Sequence, residues 1–435
     1  MVATSSRRWL YIALAVLLVG AAAVVARIVY PPVKVLVMTT GTAGSAYDVF
    51  APQYKAILAA NGIELELQSS AGAVENLRRL NDSKSGVSIG FSQGGLTNPG
   101  ESPDLVSLGT MFYEPLWFFC RGDACGQRVG ELRGKKISIG PEGSGTRALA
   151  ERLLALNGLG EGAVERLPFT AAEAAEHLLR GDIDAAAIVA SWSTPVVPKL
   201  LASTDIELID FPRADAYVAL YPYLTKLRVP AGVGNMAANR PSKDVDLLAL
   251  KASLIATKDV DPAIQQLLLD AATRIHSSAD IFAKSSQFPA PEAGDLPLSE
   301  DAREFYKSGR PYLQRILPFR LAQLAGRLLI VLVPLVGIVY PLLRFAPALY
   351  GWSMRRRVFQ LYGDLKLIEA DVESRPGDAA SLRRRLDQLE ERADHLQVPL
   401  AFTQILYTVR SHIGLARARL DSFASERELQ TPQSK

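Results

Sequence analysis

Cysteine and histidine are scarce: the 435 residues hold two cysteines and four histidines. That scarcity argues against a Cys/His metal centre. Excess charge is lacking too, since the formal net charge is only +3. No Lys/Arg run is interleaved with aromatics, so no nucleic-acid partner is implied. Catalytic motifs are also missing. The stretch Gly130–Lys136 is one residue short of a phosphate-binding loop, and no Ser or Thr follows its lysine. Gly143-Ser144-Gly145 is not a nucleophile elbow, because Glu142 stands where the first glycine is needed. His177 and His276 read as structural, and no HExxH pair or cysteine–base pair occurs. The sequence therefore implies no catalytic residue, no metal and no cofactor: a protein that binds and does not react.

What is present is a composition with a membrane lean, 49% hydrophobic and 21% charged. The length calls for two or three folding units. Residues 1–8 read as a cytoplasmic N-terminus ending in Arg7-Arg8, and 9–29 as a transmembrane helix or a cleavable signal peptide. Either places the downstream domain outside the cytoplasm, because the positive end stays in. A second apolar run within 321–346 carries Pro334 and Pro341 and is followed by Arg355-Arg356-Arg357. It reads as a second membrane segment, or as a buried or surface hairpin. Residues 347–435 show apolar residues at helical spacing among charges of both signs, which predicts a cytoplasmic helical hairpin or coiled coil. Residues 286–320, with a stretch rich in Pro, Ala and Ser, read as a linker.

Between the membrane segments, strand-like and helix-like patterns alternate. Strands are predicted at 34–39, 64–67, 87–91, 136–139 and 185–189, with helices at 45–60, 73–81, 146–156 and 172–180. That alternation predicts α/β units with parallel pairing. Two loops each follow a strand and open a helix: Thr40–Tyr47, which includes Gly44 and Ser45, and Gly140–Arg147, which includes Ser144, Gly145 and Thr146. Glycines permit close approach, and helix N-termini favour an anion. Arg147 adds a charged donor suited to a carboxylate. Either loop alone is equally consistent with an ordinary capped helix start, but two of them in separate α/β units favour binding. Cys120 and Cys125 are separated by four residues, a spacing that permits a disulfide in an oxidising compartment; two unpaired thiols in a turn are the alternative.

These loops give the chain a resemblance to the TAXI-class solute-binding subunits of TRAP transporters. It is carried by Gly44–Tyr47, Gly72–Leu77, Val87–Gln93, Leu132–Gly140, Gly143–Arg147 and Gly181–Ala186. The resemblance implies a two-lobed, type II periplasmic-binding-protein-like α/β domain at 30–285, flanked by transmembrane helices and a C-terminal helical tail. Lobe I would comprise about 33–115 and 216–285, and lobe II about 116–215. It also implies that Tyr47, Asn76, Ser144, Thr146 and Arg147 face the cleft, with Gln93, Trp192 and Tyr217 as further candidates. Two departures stand out: Ala73 replaces a frequent serine, and Gly94-Gly95 follow Gln93 where an aspartate is frequent.

The expected function is a tethered extracytoplasmic receptor for a small organic anion, a dicarboxylate or acidic amino acid, working with TRAP-type membrane subunits. The alternative is a sensor or scaffold in which lobe closure signals through the second membrane helix to the tail.

Overall fold

The computed structural model describes residues 16, 19–21, 23–24, 35–122, 128–292, 294–310, 312, 316–317, 319–374, 379–396, 398 and 403–430. The expected N-terminus and first membrane segment lie outside them, apart from residues 16, 19–21 and 23–24. The chain divides into two compact units, Ala23–Leu328 and Met1–Ala22 with Leu329–Lys435.

The larger unit is the two-lobed α/β domain that the sequence predicts. In lobe I, β1 (Val35–Thr39) pairs in parallel with β2 (Glu64–Gln68) and β3 (Ile89–Gln93). Helices α1 (Ala46–Ala60) and α2 (Ala73–Asn81) connect them. Two long strands then run through both lobes: β4 (Leu105–Arg121) and β10 (Val245–Thr257). As far as Pro115, β4 pairs with β10; from Leu116 onward it pairs with β7 (Ala185–Val189). Lobe II continues from β7 in parallel to β5 (Lys136–Ser138) and β6 (Glu165–Leu167). Its helices include α3 (Gly145–Leu156), α4 (Ala171–Arg180), α5 (Val196–Leu201) and α6 (Ala214–Leu220). Edge strands β8 (Ile206–Leu208) and β9 (Thr225–Val229) pair antiparallel with β4 and β10.

Each lobe has its own core. Met38, Tyr54, Phe91, Phe112 and Ala252 are buried in lobe I with α7 (Pro262–His276); Trp117, Phe119, Leu153, Ile188 and Leu250 are buried in lobe II. The core changes along β4 between Phe112 and Leu116, and along β10 between Leu250 and Ala252. That crossing is where the lobes join.

Three expectations need correction. Pairing is not wholly parallel, because the crossing strands β4 and β10 lie antiparallel to their neighbours. The lobe boundary also moves: within 216–285, Leu224, Val229, Val245, Leu247 and Leu248 bury into the lobe II core. Alternating lobes along one chain leave little sequence trace of which core an apolar residue joins. Nor are residues 286–320 a free linker. Phe288 and Leu296 are buried, and Ala290 exchanges both backbone hydrogen bonds with Thr110 of β4, at 3.0 and 2.9 Å. The Asp295 carboxylate accepts from the backbone N–H groups of Gly95, Leu96 and Thr97 at 2.9, 2.9 and 3.2 Å. Helix α8 (Glu300–Ser308) comes next, with Ala302 fully buried. This segment is a strap on lobe I.

Helix α9 (Phe319–Ser374) has 56 residues, about 84 Å at 1.5 Å per residue. Within it Leu324–Pro341 is long and apolar enough to cross a membrane and is not buried. Beyond it α10 (Ala379–His395) and α11 (Thr403–Gln430) complete a three-helix core. Leu361, Leu365 and Ile368 pack there with Leu386, Leu389, Val409 and Ile413. The stretch expected to form a hairpin or coiled coil holds the C-terminal part of α9 together with α10 and α11. Residues 375–378, between α9 and α10, lie outside the described residues.

Candidate functional site: a cleft between two lobes

Four helices open onto the cleft between the lobes. Lobe I supplies the starts of α1 (Ser45, Ala46, Tyr47) and α2 (Gly72, Ala73); lobe II supplies those of α3 (Ser144, Gly145, Thr146) and α4 (Ala171). Their caps are set by the local sequence. Ser45 and Ser144 adopt extended N-cap geometry and accept from the N–H of Asp48 and Arg147. Thr170 and Glu173 form a reciprocal capping box. Converging N-termini bring the first-turn N–H groups that these caps do not take, and the positive ends of helix dipoles, to one place, which suits an anion.

The floor of the cleft is a buried polar triad. Tyr47 donates to Glu114 Oε2 at 2.8 Å, and Gln93 Nε2 donates to the same oxygen at 2.8 Å. Burial pushes the Glu114 carboxyl up to about 7, and its two hydrogen bonds pull partly back. Burial, then the neighbouring Glu114 charge, raises the Tyr47 phenol well above its usual range. Gln93 Oε1 is buried without a partner.

The lobes already touch. Glu75 N–H of lobe I donates to Gly143 O of lobe II at 3.0 Å, and Tyr223, held within lobe II by Arg152 at 2.8 Å, reaches across to lobe I. The Tyr223 ring lies over Gly94 and Gly95; a β-carbon on Gly95 would sit 2.8 Å from it. Gly95 also has φ of +86°, so Gly94-Gly95 is the seat for Tyr223 and has no room for the aspartate frequent in the resembling family. With the lobes so placed, the cleft encloses about 60 Å³. This is well below the roughly 300–1,000 Å³ of common ligand pockets, so only a small solute suits it.

Of the predicted site residues, Ser45, Tyr47, Gln93, Ser144, Gly145 and Thr146 line the cleft. Gly44, Asn76, Arg147, Trp192 and Tyr217 do not. Gly44 has φ of +75° and donates its N–H to Asp48 Oδ2 at 2.9 Å, shaping the start of α1. Asn76 is fully buried and saturated: it donates to Thr40 O and Phe91 O at 2.7 and 2.9 Å, and accepts from Thr39 and Ser70 hydroxyls at 2.6 Å each. It fastens β1, β3 and α2 together and has nothing left for a ligand. Arg147 turns along its own helix to Glu151 at 3.0 Å, because an acidic residue four positions on offers a nearer partner. Trp192 packs on Trp117, and the Tyr217 hydroxyl bonds with Asn157. Cys120 is buried and disulfide-bonded; its expected partner Cys125 lies outside the described residues.

Sequence reasoning missed Glu114. The signal was a lone carboxylate inside the apolar run from Leu105 to Cys120, where an ionisable group is expensive to bury without a purpose.

Two lobes with separate cores, joined by crossing strands over a helix-lined cleft, define the class of type II binding-protein-like folds. The chain belongs to the NMT1-like family, which matches residues 38–308. Among solved structures it is similar to the periplasmic aliphatic sulphonate binding protein SsuA from Escherichia coli. The identity is 16%, the match covers 57% of this chain and 74% of that one, and the TM-score is 0.35. It is also similar to the periplasmic binding protein BugD, at 13% identity over 70% and 97% of the two chains with a TM-score of 0.38. A third similarity is to the substrate binding protein of an amino acid ABC transporter, at 13% identity over 63% and 95% with a TM-score of 0.35.

Proposed function

We propose that the protein is a membrane-tethered, extracytoplasmic solute receptor. Its two lobes close on a small organic solute bearing a carboxylate, and it presents that solute to TRAP-type membrane subunits. The observation that carries this reading is the convergence of four helix N-termini, from both lobes, on one small cleft. The apolar stretch Leu324–Pro341 supports the tether. A dicarboxylate or an acidic amino acid is the solute class that the resemblance suggests. The test is thermal melting of the full chain in detergent against a panel of small acids and amino acids. A solute at 100 times its Kd stabilises by roughly 2.7 kcal/mol, a readily visible shift. No shift with any member, in protein freed of co-purified ligand, would overturn the reading.

A second reading has one observation in its favour. Helix α9 alone contains the apolar stretch and the first helix of the three-helix core. A delivery subunit needs no such tail. In a sensor, solute binding would alter hydrogen exchange in α10 and α11; unchanged exchange there would leave delivery as the function.

A further inference from the structure

A second hollow lies on the reverse face of the crossing strands. On β10, Ala252 pairs with Gln93, whose side chain enters the cleft, whereas Ser253 pairs with Ser92 and so points the other way. There the strap covers the sheet and leaves a space of about 310 Å³ between Ser253, the strap residues Glu292, Gly294 and Asp295, and Tyr223. It shares no lining residue with the cleft, and its volume falls within the range of common ligand pockets. Its walls hold a hydroxyl with no work inside the fold. Ser253 is only 7% exposed, and among the described residues its hydroxyl has no hydrogen-bond partner, a costly state for a buried polar group. Thr110, paired with it across β4, lines the same hollow, and its hydroxyl also lacks a partner. A β-carbon on Gly294 would meet only Ser253 Oγ, at 3.4 Å, so the space beside that hydroxyl is open. The charges, by contrast, are spent. Lys251 Nζ pairs with Glu292 Oε2 at 2.6 Å, and Asp295 accepts from three backbone N–H groups.

We propose that this hollow is a second ligand site, which takes a small uncharged polyhydroxyl compound of about monosaccharide size. Hydroxyl groups donate and accept at once, so such a ligand can meet the Ser253 hydroxyl, the Glu292 carboxylate and the Lys251 ammonium together. An anion would have to draw Lys251 away from Glu292 and stand beside Asp295; a cation would have to draw Glu292 away from Lys251. Pro222 and the Tyr223 ring supply an apolar wall for the carbon skeleton. The inference is independent of the receptor reading, because it uses no residue of the cleft.

The experiment is saturation-transfer NMR with calorimetric titration of the full chain, in a detergent whose head group is not a sugar. The probes are D-glucose, D-galactose, myo-inositol and erythritol, with succinate and putrescine as charged controls. At least one polyhydroxyl probe should bind with a Kd of roughly 1 mM or tighter. Ser253→Ala should weaken it roughly fivefold, the loss of one hydrogen bond. Gly294→Leu should abolish it by filling the hollow. If Gly294→Leu does not fold, Glu292→Gln at the exposed rim takes its place and should weaken binding as Ser253→Ala does. Three results overturn the proposal. The first is no binding by any polyhydroxyl probe. The second is binding that Ser253→Ala, Gly294→Leu and Glu292→Gln leave undiminished, which would place it elsewhere. The third is a charged control that binds more tightly than every polyhydroxyl probe and is lost in the same variants.

Discussion

Gln93 of lobe I abuts Gly145 of lobe II so closely that a β-carbon on Gly145 would stand 1.7 Å from Gln93 Oε1. The first residue of α3 is thus a glycine because the opposite lobe occupies the space of its side chain. In the receptor reading this contact forms when the lobes close on a solute.

Gly145→Ala should therefore weaken solute binding by obstructing closure, by roughly tenfold or more, about 1.4 kcal/mol. Removing the obstacle in Gln93→Ala/Gly145→Ala should produce less than the sum of the two single losses, since the residues share one contact. Calorimetric affinities of the four proteins form the double-mutant cycle; strict additivity would refute the contact's role.

Glu114 makes the solute-free protein less stable as pH rises. Its folded value lies at about 7 against an ordinary 4.5, so between those values the folded state holds a proton that the unfolded state has released. Stability from this group is complete below 4.5 and lost on passing 7. Glu114→Gln should be more stable than wild type above pH 7 by up to about 3 kcal/mol, the gap closing below pH 5. Urea unfolding from pH 4 to 8 measures it.

His276 acts at the acid end. Burial among Phe50, Phe91 and Phe112 lowers its value from 6.5 to about 3, with Nε2 3.1 Å from the Tyr54 hydroxyl. The unfolded chain binds the proton first, so stability falls as pH drops from 6.5 toward 3, by at most about 1.4 kcal/mol per pH unit. His276→Gln should flatten that slope in the same urea series; an unchanged slope would place the acid sensitivity elsewhere.

Asn76→Ala should destabilise lobe I by about 2–4 kcal/mol, because four buried partners lose their hydrogen bonds together. Its folded fraction should bind solute with near wild-type affinity, since Asn76 does not line the cleft. Denaturation paired with calorimetry separates the two effects.

The helices of both lobes were legible because Ser45, Ser144 and Thr170 are strong N-caps followed by regular apolar spacing. The helix-start side of the cleft was legible for the same reason: a glycine-flanked cap after a strand marks an exposed helix start. The crossing strands were not, because β4 is buried along nearly its whole length and shows no alternation. With them went Glu114, whose position in the cleft depends on long-range pairing with β10. Asn76 and Arg147 were misread in a shared way. Each has the right chemistry for a ligand, but partners within the fold claim it first.

The central claim, that two lobes close on a solute, is tested most directly by the distance between them. Spin labels at the exposed Lys55 of lobe I and Glu176 of lobe II, in the full chain, report that distance by electron–electron double resonance. Without solute the distribution should include longer distances than the structure; a saturating solute should collapse it to one short distance. A solute shown by calorimetry to bind, yet leaving the distribution unchanged, would contradict the account.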